Sequence, residues 1–397
     1  MSAIGARITR EGLPLAAVLT IHAGAAQLGL LAALSIGPSV IVGLAAGGWV
    51  DRSRRRSILI GADLARAMAL LSLPAAAWLH LLSMNQLYVV AALVGGLSVL
   101  FDIADHAYLP SLIAPADLME GNAKLGVTES LGEIGGPALA GVLFQVLSPP
   151  VAIAVNAATY LASAVVLGTI RKAEPAAALV QTPPRWRDDL YAGLAAIFQD
   201  PRVRPLFLVS MTQSLFGSFF AALYILFALR TLGLTPAAMG VTIAMGGIGG
   251  LAGAALSPVL AHRAGVGPGI IIAGFGAGAA TMLIPLATGR GVMAILMLAQ
   301  FAGDALAVAA AIASTSLRQS VMAPGVLGRA GALFHAGPGA MTVIGALAGG
   351  ALAGWLGMRE TMIVAALGLT AAPLWALASP LRRLRTLPAE TNATIST

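Results

Sequence analysis

Glu129 and Glu133 stand four residues apart, so a helix would stack their carboxylates one turn from each other on a single face. In a partly dry site two such groups cannot both ionise easily, and the pair could hold one proton between them near neutral pH. The plainer reading has both acids meeting water near a helix end. Other charges interrupt apolar runs: Arg10 beside Glu11, Asp63 three residues before Arg66, Asp102 and Asp105 with His106, and Asp304 four residues after Gln300. An ionisable group inside a bilayer costs about 2.5–3.5 kcal/mol on insertion scales, so each needs a partner or a role. Asp63 and Arg66 are expected to pair structurally on one helix face. Arg10, Glu11, Glu129, Glu133 and Asp304 are expected to line a wet cavity, with a bond to Gln300 as the alternative for Asp304. His106 and His335 have no ligand spacing and the chain has no cysteine, so neither a metal site nor a disulfide is expected.

The elements that carry these charges need lipid as their solvent. Charged residues are 10% of the chain and hydrophobic ones 58%, and the mean hydropathy is +0.89. That leaves too little polar surface to cover a core in water. An isoelectric point near 10.5 fits membrane orientation better than nucleic acid, because no soluble basic domain with interleaved aromatics is present. No cleavable signal peptide is evident, since Arg7, Arg10 and Glu11 break the first apolar stretch.

At roughly 20 apolar residues per crossing, Gly/Pro clusters and charges divide the chain into twelve spans. They fall at 1–23, 27–50, 57–80, 86–108, 121–147, 150–170, 203–230, 235–261, 267–288, 291–317, 328–354 and 358–379. With both termini cytoplasmic, seventeen Lys and Arg lie in inside loops, against Arg230, Arg290 and Arg359 outside. The first span is polar at its amino end and reads as a helix cut short by start-site choice or truncation. Trp186, Leu190, Leu194 and Ile197, at helical spacing, predict a short interfacial helix in the polar stretch 171–202. The expected organisation is one six-helix bundle over 1–170, a cytoplasmic linker over 171–202, a second bundle over 203–380 and a cytoplasmic tail over 381–397.

The halves repeat. "SLIAPADLMEGNA" answers "SVMAPGVLGRAGA" at a constant offset of 209 residues, as from Ser111 to Ser320, and the same offset pairs Gly136 with Gly345 and Gly141 with Gly350. An offset of six helices preserves topology, so the two bundles would be parallel repeats about an axis along the membrane normal. Transporters of that design bind substrate between the halves and rock one against the other.

Gly47, Asp51, Arg52, Arg55 and Arg56 form the pattern G-x-x-x-D-R-x-x-R-R in the turn after the second span. It resembles the loop signature of the major facilitator superfamily, with Trp49 and Arg54 departing from its usual Leu and Gly. "LPSLIAPADLMEGNAKLGVTESLGEIGGPALAGVL" (Leu109 to Leu143), "ADLARA" and "LRQSVMAPGVLGRAGALF" are similar to its twelve-span drug:proton antiporter branch, which includes macrolide-efflux and enterobactin-exporter proteins. Asn156 departs from that branch, standing where an acid is expected.

The resemblance implies an all-α polytopic membrane protein of major-facilitator-type fold, with twelve transmembrane helices in two six-helix parallel repeats. It also implies that the loop motif is a conformational latch. Asp51 can accept from helix-terminal N–H groups and the arginines can hold helix carboxyl ends or lipid phosphates, with Asp102 and Asp105 as expected partners and a proton relay as the alternative for those two. For Arg54 and Arg56 a purely orienting role is the alternative. "GPALAG" resembles the antiporter signature G-P-x-x-G-G, in which Pro137 removes a helix hydrogen bond while Gly136 and Gly141 allow a bend with close packing.

The function expected is secondary active transport: proton-coupled efflux of small amphipathic molecules by alternating access. The protein would act as a monomer in the cell membrane, with the proton gradient as its energy source and no cofactor. Uptake or lipid movement on the same fold, and a non-transporting sensor or scaffold, are the alternatives. No enzyme is expected, for H-E-x-x-H, G-x-S-x-G and cysteine are missing, and no G-x-x-x-x-G-K-[ST] is present to bind ATP.

Overall fold

The computed structural model describes residues 2–45, 50, 53–112, 118–170 and 186–386, and no strand occurs among them. Gly47, Asp51 and Arg52, the linker residues 171–185 and the tail from 387 lie outside the described residues. The first bundle is α1 (Ser2–Thr20), α2 (Ala25–Ala45), α3 (Arg55–Trp78), α4 (Met84–Leu112), α5 (Leu118–Val146) and α6 (Pro149–Thr169). Helix α7 (Trp186–Gln199) leads into the second: α8 (Val203–Leu226), α9 (Pro236–Ala264), α10 (Val266–Leu286), α11 (Val292–Val321), α12 (Pro324–Leu356) and α13 (Met358–Ala371). A short α14 (Leu374–Leu377) prolongs the last. Ten stretches among the described residues are long and apolar enough to cross a membrane, and these do not include α1, which carries Arg7, Arg10 and Glu11. Arg10 and Glu11 face a cavity described below and Arg7 pairs with an acid, which is why a charged helix is tolerated at membrane depth.

Helix boundaries follow local chemistry. Gly265 (φ 96°) joins α9 to α10 and Gly357 (φ 100°) joins α12 to α13, each a one-residue reversal in the left-handed region that a side chain would strain. Residues 381–385, the start of the expected tail, cap α10: Gly267 N–H donates to the Leu384 carbonyl at 2.9 Å and Val266 N–H to the Arg385 carbonyl at 3.1 Å. Helix starts leave such donors without internal partners, so the chain folds back to satisfy them. Helix α7 also departs from a purely interfacial role. Its Ile197 is fully buried against Val203, Phe207, Met322 and Ala330, so the predicted apolar stripe docks on the second bundle at that end, while Leu190 and Phe198 stay exposed.

Across the bundle interface, α2 packs on α12 and α5 on α9. The repeat explains where. A methyl on Gly240 would fall 3.0 Å from the Cα of Gly141, and one on Gly29 would fall 2.8 Å from the Cα of Gly350. Gly141 and Gly350, the offset-related pair, thus make equivalent glycine-on-glycine crossings with the opposite half. Gly136 and Gly345 also correspond, the first lying against α1 at Arg7 and the second against α8 at Leu215 and Ser218. Such close backbone approach is how helices associate in lipid, where apolar burial gives no drive.

The two membrane faces differ. At the face where α1 ends, one core joins both bundles, including Leu31, Leu70 and Phe144 from the first and Tyr224, Phe227 and Leu296 from the second. At the opposite face the cores are separate: Leu59, Phe101 and Tyr108 in the first bundle, and Leu206, Ile270 and Leu317 in the second. Among the described residues, the apolar cores of the two bundles are joined at one face and parted at the other.

Candidate functional site

Helix α1 presents Arg7, Arg10 and Glu11 at positions i, i+3 and i+4, which share a face. Glu133 of α5 lies opposite. Its Oε2 is 2.8 Å from Arg7 Nε and its Oε1 is 2.8 Å from Arg10 Nη2, while Arg10 Nε donates to Glu11 Oε1 at 3.1 Å. The approach of α1 to α5 is made possible by Gly136, three residues after Glu133, where any Cβ would strike the Arg7 side chain. Among the described residues the partners of Glu133 are therefore two guanidinium groups. Glu129 is on α5, and its side chain lies outside the described residues. Sequence reading noted Arg7 only as a charge that breaks an apolar run; its spacing from Arg10 was the available signal, but nothing local pairs it with α5.

Two adjoining cavities lie between the bundles. One, of about 400 Å³, is lined by Arg10 and Glu11 from α1 together with Tyr224, Thr281, Gln300 and Asp304. The other, of about 530 Å³, has Arg10, Ser130, Glu133, Gln300 and Asp304 on its wall. Arg10, Ile243, Gln300 and Asp304 line both, so the spaces meet around Asp304. Asp304 is exposed to this space and makes no salt bridge among the described residues. Gly246 of α9 makes room for it, since a Cβ there would fall on Asp304 Oδ2. Tyr224, whose hydroxyl meets Thr242 Oγ1 at 2.8 Å, and the apolar Phe220, Ile225 and Ile243 complete the first cavity. Tyr224 and Thr242 were not singled out from sequence, as a Tyr and a Thr inside apolar helices look like ordinary core residues.

Asp63 and Arg66 form a pair that is almost wholly buried, with Arg66 Nη2 2.5 Å from Asp63 Oδ1. Ser2 donates to the same oxygen at 3.1 Å and accepts from Arg66 Nη2 at 2.9 Å, and Ser98 accepts from Nη1 at 3.2 Å. The guanidinium lies 4.5 Å from the ring centroids of both Phe101 and Tyr160. It ties α1, α3, α4 and α6 together with charge-assisted bonds in a dry interior. Asn156, standing where an acid was expected, is buried and donates to Thr9 Oγ1 at 2.7 Å, again linking α6 to α1.

Of the loop residues, Arg56 donates from Nε to the Leu167 carbonyl at 2.9 Å and from Nη2 to Gly168 at 2.5 Å. It caps the carboxyl end of α6 within its own bundle, where cations are favoured. Arg55 is half-buried, Asp102 is exposed on α4 and Asp105 half-buried three residues on. Pro137 lies inside α5, with its carbonyl against Gly240 of α9. No group of three or more His, Cys, Asp or Glu capable of holding a metal occurs among the described residues.

Comparison with known proteins agrees with this architecture. Residues 1–323 match the family model described as Major Facilitator Superfamily. The chain is 27% identical over 162 residues to the "Uncharacterized MFS-type transporter YfiS" of Bacillus subtilis (strain 168), covering 40% of this chain but only 38% of that relative's length. Among solved structures, a variant of nucleoside transporter NupG superposes with a TM-score of 0.76 at 12% identity, covering 95% of this chain and 97% of that one. A bacterial homologue of the human lysosomal transporter Spinster, inward-facing and unoccupied, gives 0.73 at 14% over 96% and 95%. A bacterial homologue of the iron transporter ferroportin, inward-facing, gives 0.70 at 18% over 95% and 97%. The twelve-helix pseudo-repeat, the cavity between its halves and the family match together establish that this chain belongs to the major facilitator superfamily.

Proposed function

We propose that this transporter is a proton-coupled exporter of small amphipathic molecules, cationic ones foremost, and that Asp304 is the carboxylate on which proton and substrate compete. The supporting observation is the charge balance around the interbundle cavities. Among the described side chains, Arg7 and Arg10 face Glu11 and Glu133, two charges against two, so the additional carboxylate of Asp304 brings one further negative charge to this set when all five are ionised. A carboxylate in a space walled largely by apolar groups and free of a salt bridge gains from either a proton or a cation. Exchange of one for the other is the elementary step of an antiporter.

The charge bias of the loops supports a cytoplasmic placement of the parted face, with Arg55, Arg56, Arg263, Arg318 and Arg329 at that end and Arg230, Arg290 and Arg359 at the joined face. The conformation described is then inward-open, ready to take substrate from the cytoplasmic side. The latch reading of Asp51 and Arg52 belongs to the same proposal: their turn would hold the parted ends together in the outward-open form. Ethidium accumulation in inside-out vesicles tests the reading. An imposed inside-acid gradient should drive ethidium inward, and nigericin should abolish the gain over vesicles lacking the protein. Ethidium movement indifferent to the gradient would reject proton coupling, and no movement of any amphipathic cation would reject the substrate class.

A further inference from the structure

A separate cavity of about 240 Å³ lies inside the second bundle toward the parted face, enclosed by α8, α10, α11, α12 and α14. Arg318 supplies its cationic group, His335 a ring, and Ser210, Gln213, Ser314 and Thr315 uncharged polar groups; among the described residues no carboxylate lines it. Arg318 has no ion pair among the described residues, and its buried Nε lacks any hydrogen-bond partner. What holds it is an aromatic face. The guanidinium lies 4.5 Å from the centroid of Phe334, which meets Phe207 edge-on at 5.1 Å, and Phe207 meets Phe198 of α7 at 6.0 Å. Stacking fixes the plane of the guanidinium while leaving its donors unused.

A partly buried cation without a counter-charge is unfavourable unless an anion joins it, and a fixed guanidinium fork matches the oxygens of phosphate two at a time. Hydroxyl and amide donors around it suit the remaining oxygens. The volume is below the usual range for drug-sized ligands, which fits a single phosphate group better than a bulky amphiphile. We propose that this intrabundle cavity binds a phosphate group, with Arg318 as its charge partner and Gln213, Ser314 and Thr315 as hydrogen-bond donors. Free phosphate and a phospholipid headgroup present the same chemistry, and the two are separable by experiment. The site is distinct from the interbundle cavity, so its test needs no transport.

Purified full-length protein in neutral detergent is titrated with inorganic phosphate and, separately, with dihexanoyl phosphatidic acid, while thermal unfolding is followed against chloride at matched ionic strength. Native protein should gain stability with at least one of them, and half-saturation should rise at least tenfold in Arg318→Gln. Thr315→Leu, which fills the cavity but leaves the guanidinium, should weaken binding comparably and decides the matter where Arg318→Gln elutes as aggregate. A response to inorganic phosphate assigns a free anion, and a response confined to the lipid assigns a headgroup. No response to either, or titrations unchanged in the folded variants, would overturn the site.

Discussion

Glu133 and Arg10 meet at 2.8 Å, joining α5 to α1 on the wall of the interbundle cavity. With Arg7 on the other carboxylate oxygen, one acid holds two cations in a wet crevice. Pairs this exposed contribute about 0–1 kcal/mol each to stability, because solvent screens them and long side chains lose freedom. Their use is then to set cavity charge and helix spacing. Glu133→Gln should shift the melting temperature by no more than a few degrees, yet lower ethidium transport at least tenfold by leaving Arg7 and Arg10 with Glu11 as their paired counter-charge. Native transport by a well-folded variant would show that the pair is not part of the cycle.

The buried Asp63–Arg66 pair behaves oppositely. Removing one partner strands a charge in the interior, which costs about 3–5 kcal/mol, whereas replacing both with apolar groups avoids that penalty. Asp63→Leu and Arg66→Met should each destabilise strongly, and the double variant should be more stable than either. Denaturant unfolding in mixed micelles provides the comparison. A double variant as unstable as the sum of the singles would contradict the coupling.

Glycine contacts hold the joined face. At Gly240 a Cβ would press within 3.0 Å of the Gly141 Cα and closer still to the Pro137 carbonyl, neither of which can rotate away. Gly240→Val should therefore spread the joined ends. The chain has no cysteine, so spin labels at His80→Cys and Arg290→Cys report that face without background. Their separation should widen by several ångström in Gly240→Val, and an unchanged distance distribution would count against the crossing as a closure point.

Asp200 precedes α8 outside the membrane. Burial alone would raise its carboxyl, but hydrogen bonds from the Arg202 side chain and backbone, with the Arg202 charge, outweigh it and hold the group below its ordinary value. A depressed folded-state value means the stabilisation is present above the unfolded value and is lost as pH falls through the folded one. Asp200→Asn should cost about 0.5–1 kcal/mol at pH 7, the range of a helix-start hydrogen bond and a half-exposed ion pair. The gap between native and variant should narrow below about pH 4, and a gap that widens there would refute the assignment.

The fold was largely legible because each helix carries its own signal: apolar length, flanking Gly or Pro, and loop arginines. The offset linking Gly141 to Gly350 even marked the bundle crossings, since a repeat constrains both copies to one geometry. The Asp63–Arg66 pair was legible because three residues of helix bring its partners together. What sequence could not supply was contact across helices. Arg7 and Glu133 are far apart along the chain, so nothing local in the sequence brings them together. Tyr224 and Gly246 acquire meaning only when α8, α9 and α11 surround Asp304. Residues 381–385 read as tail because only folding shows that α10 needs the carbonyls of Leu384 and Arg385.

Proton release on substrate binding tests the account at its centre. Purified protein in weakly buffered detergent solution, mixed with tetraphenylphosphonium beside a pH-sensitive dye, should release protons in proportion to the cation bound. Asp304→Asn should bind more weakly and release none, while Glu133→Gln still releases them. Proton release by Asp304→Asn equal to that of the native protein would contradict exchange at this carboxylate.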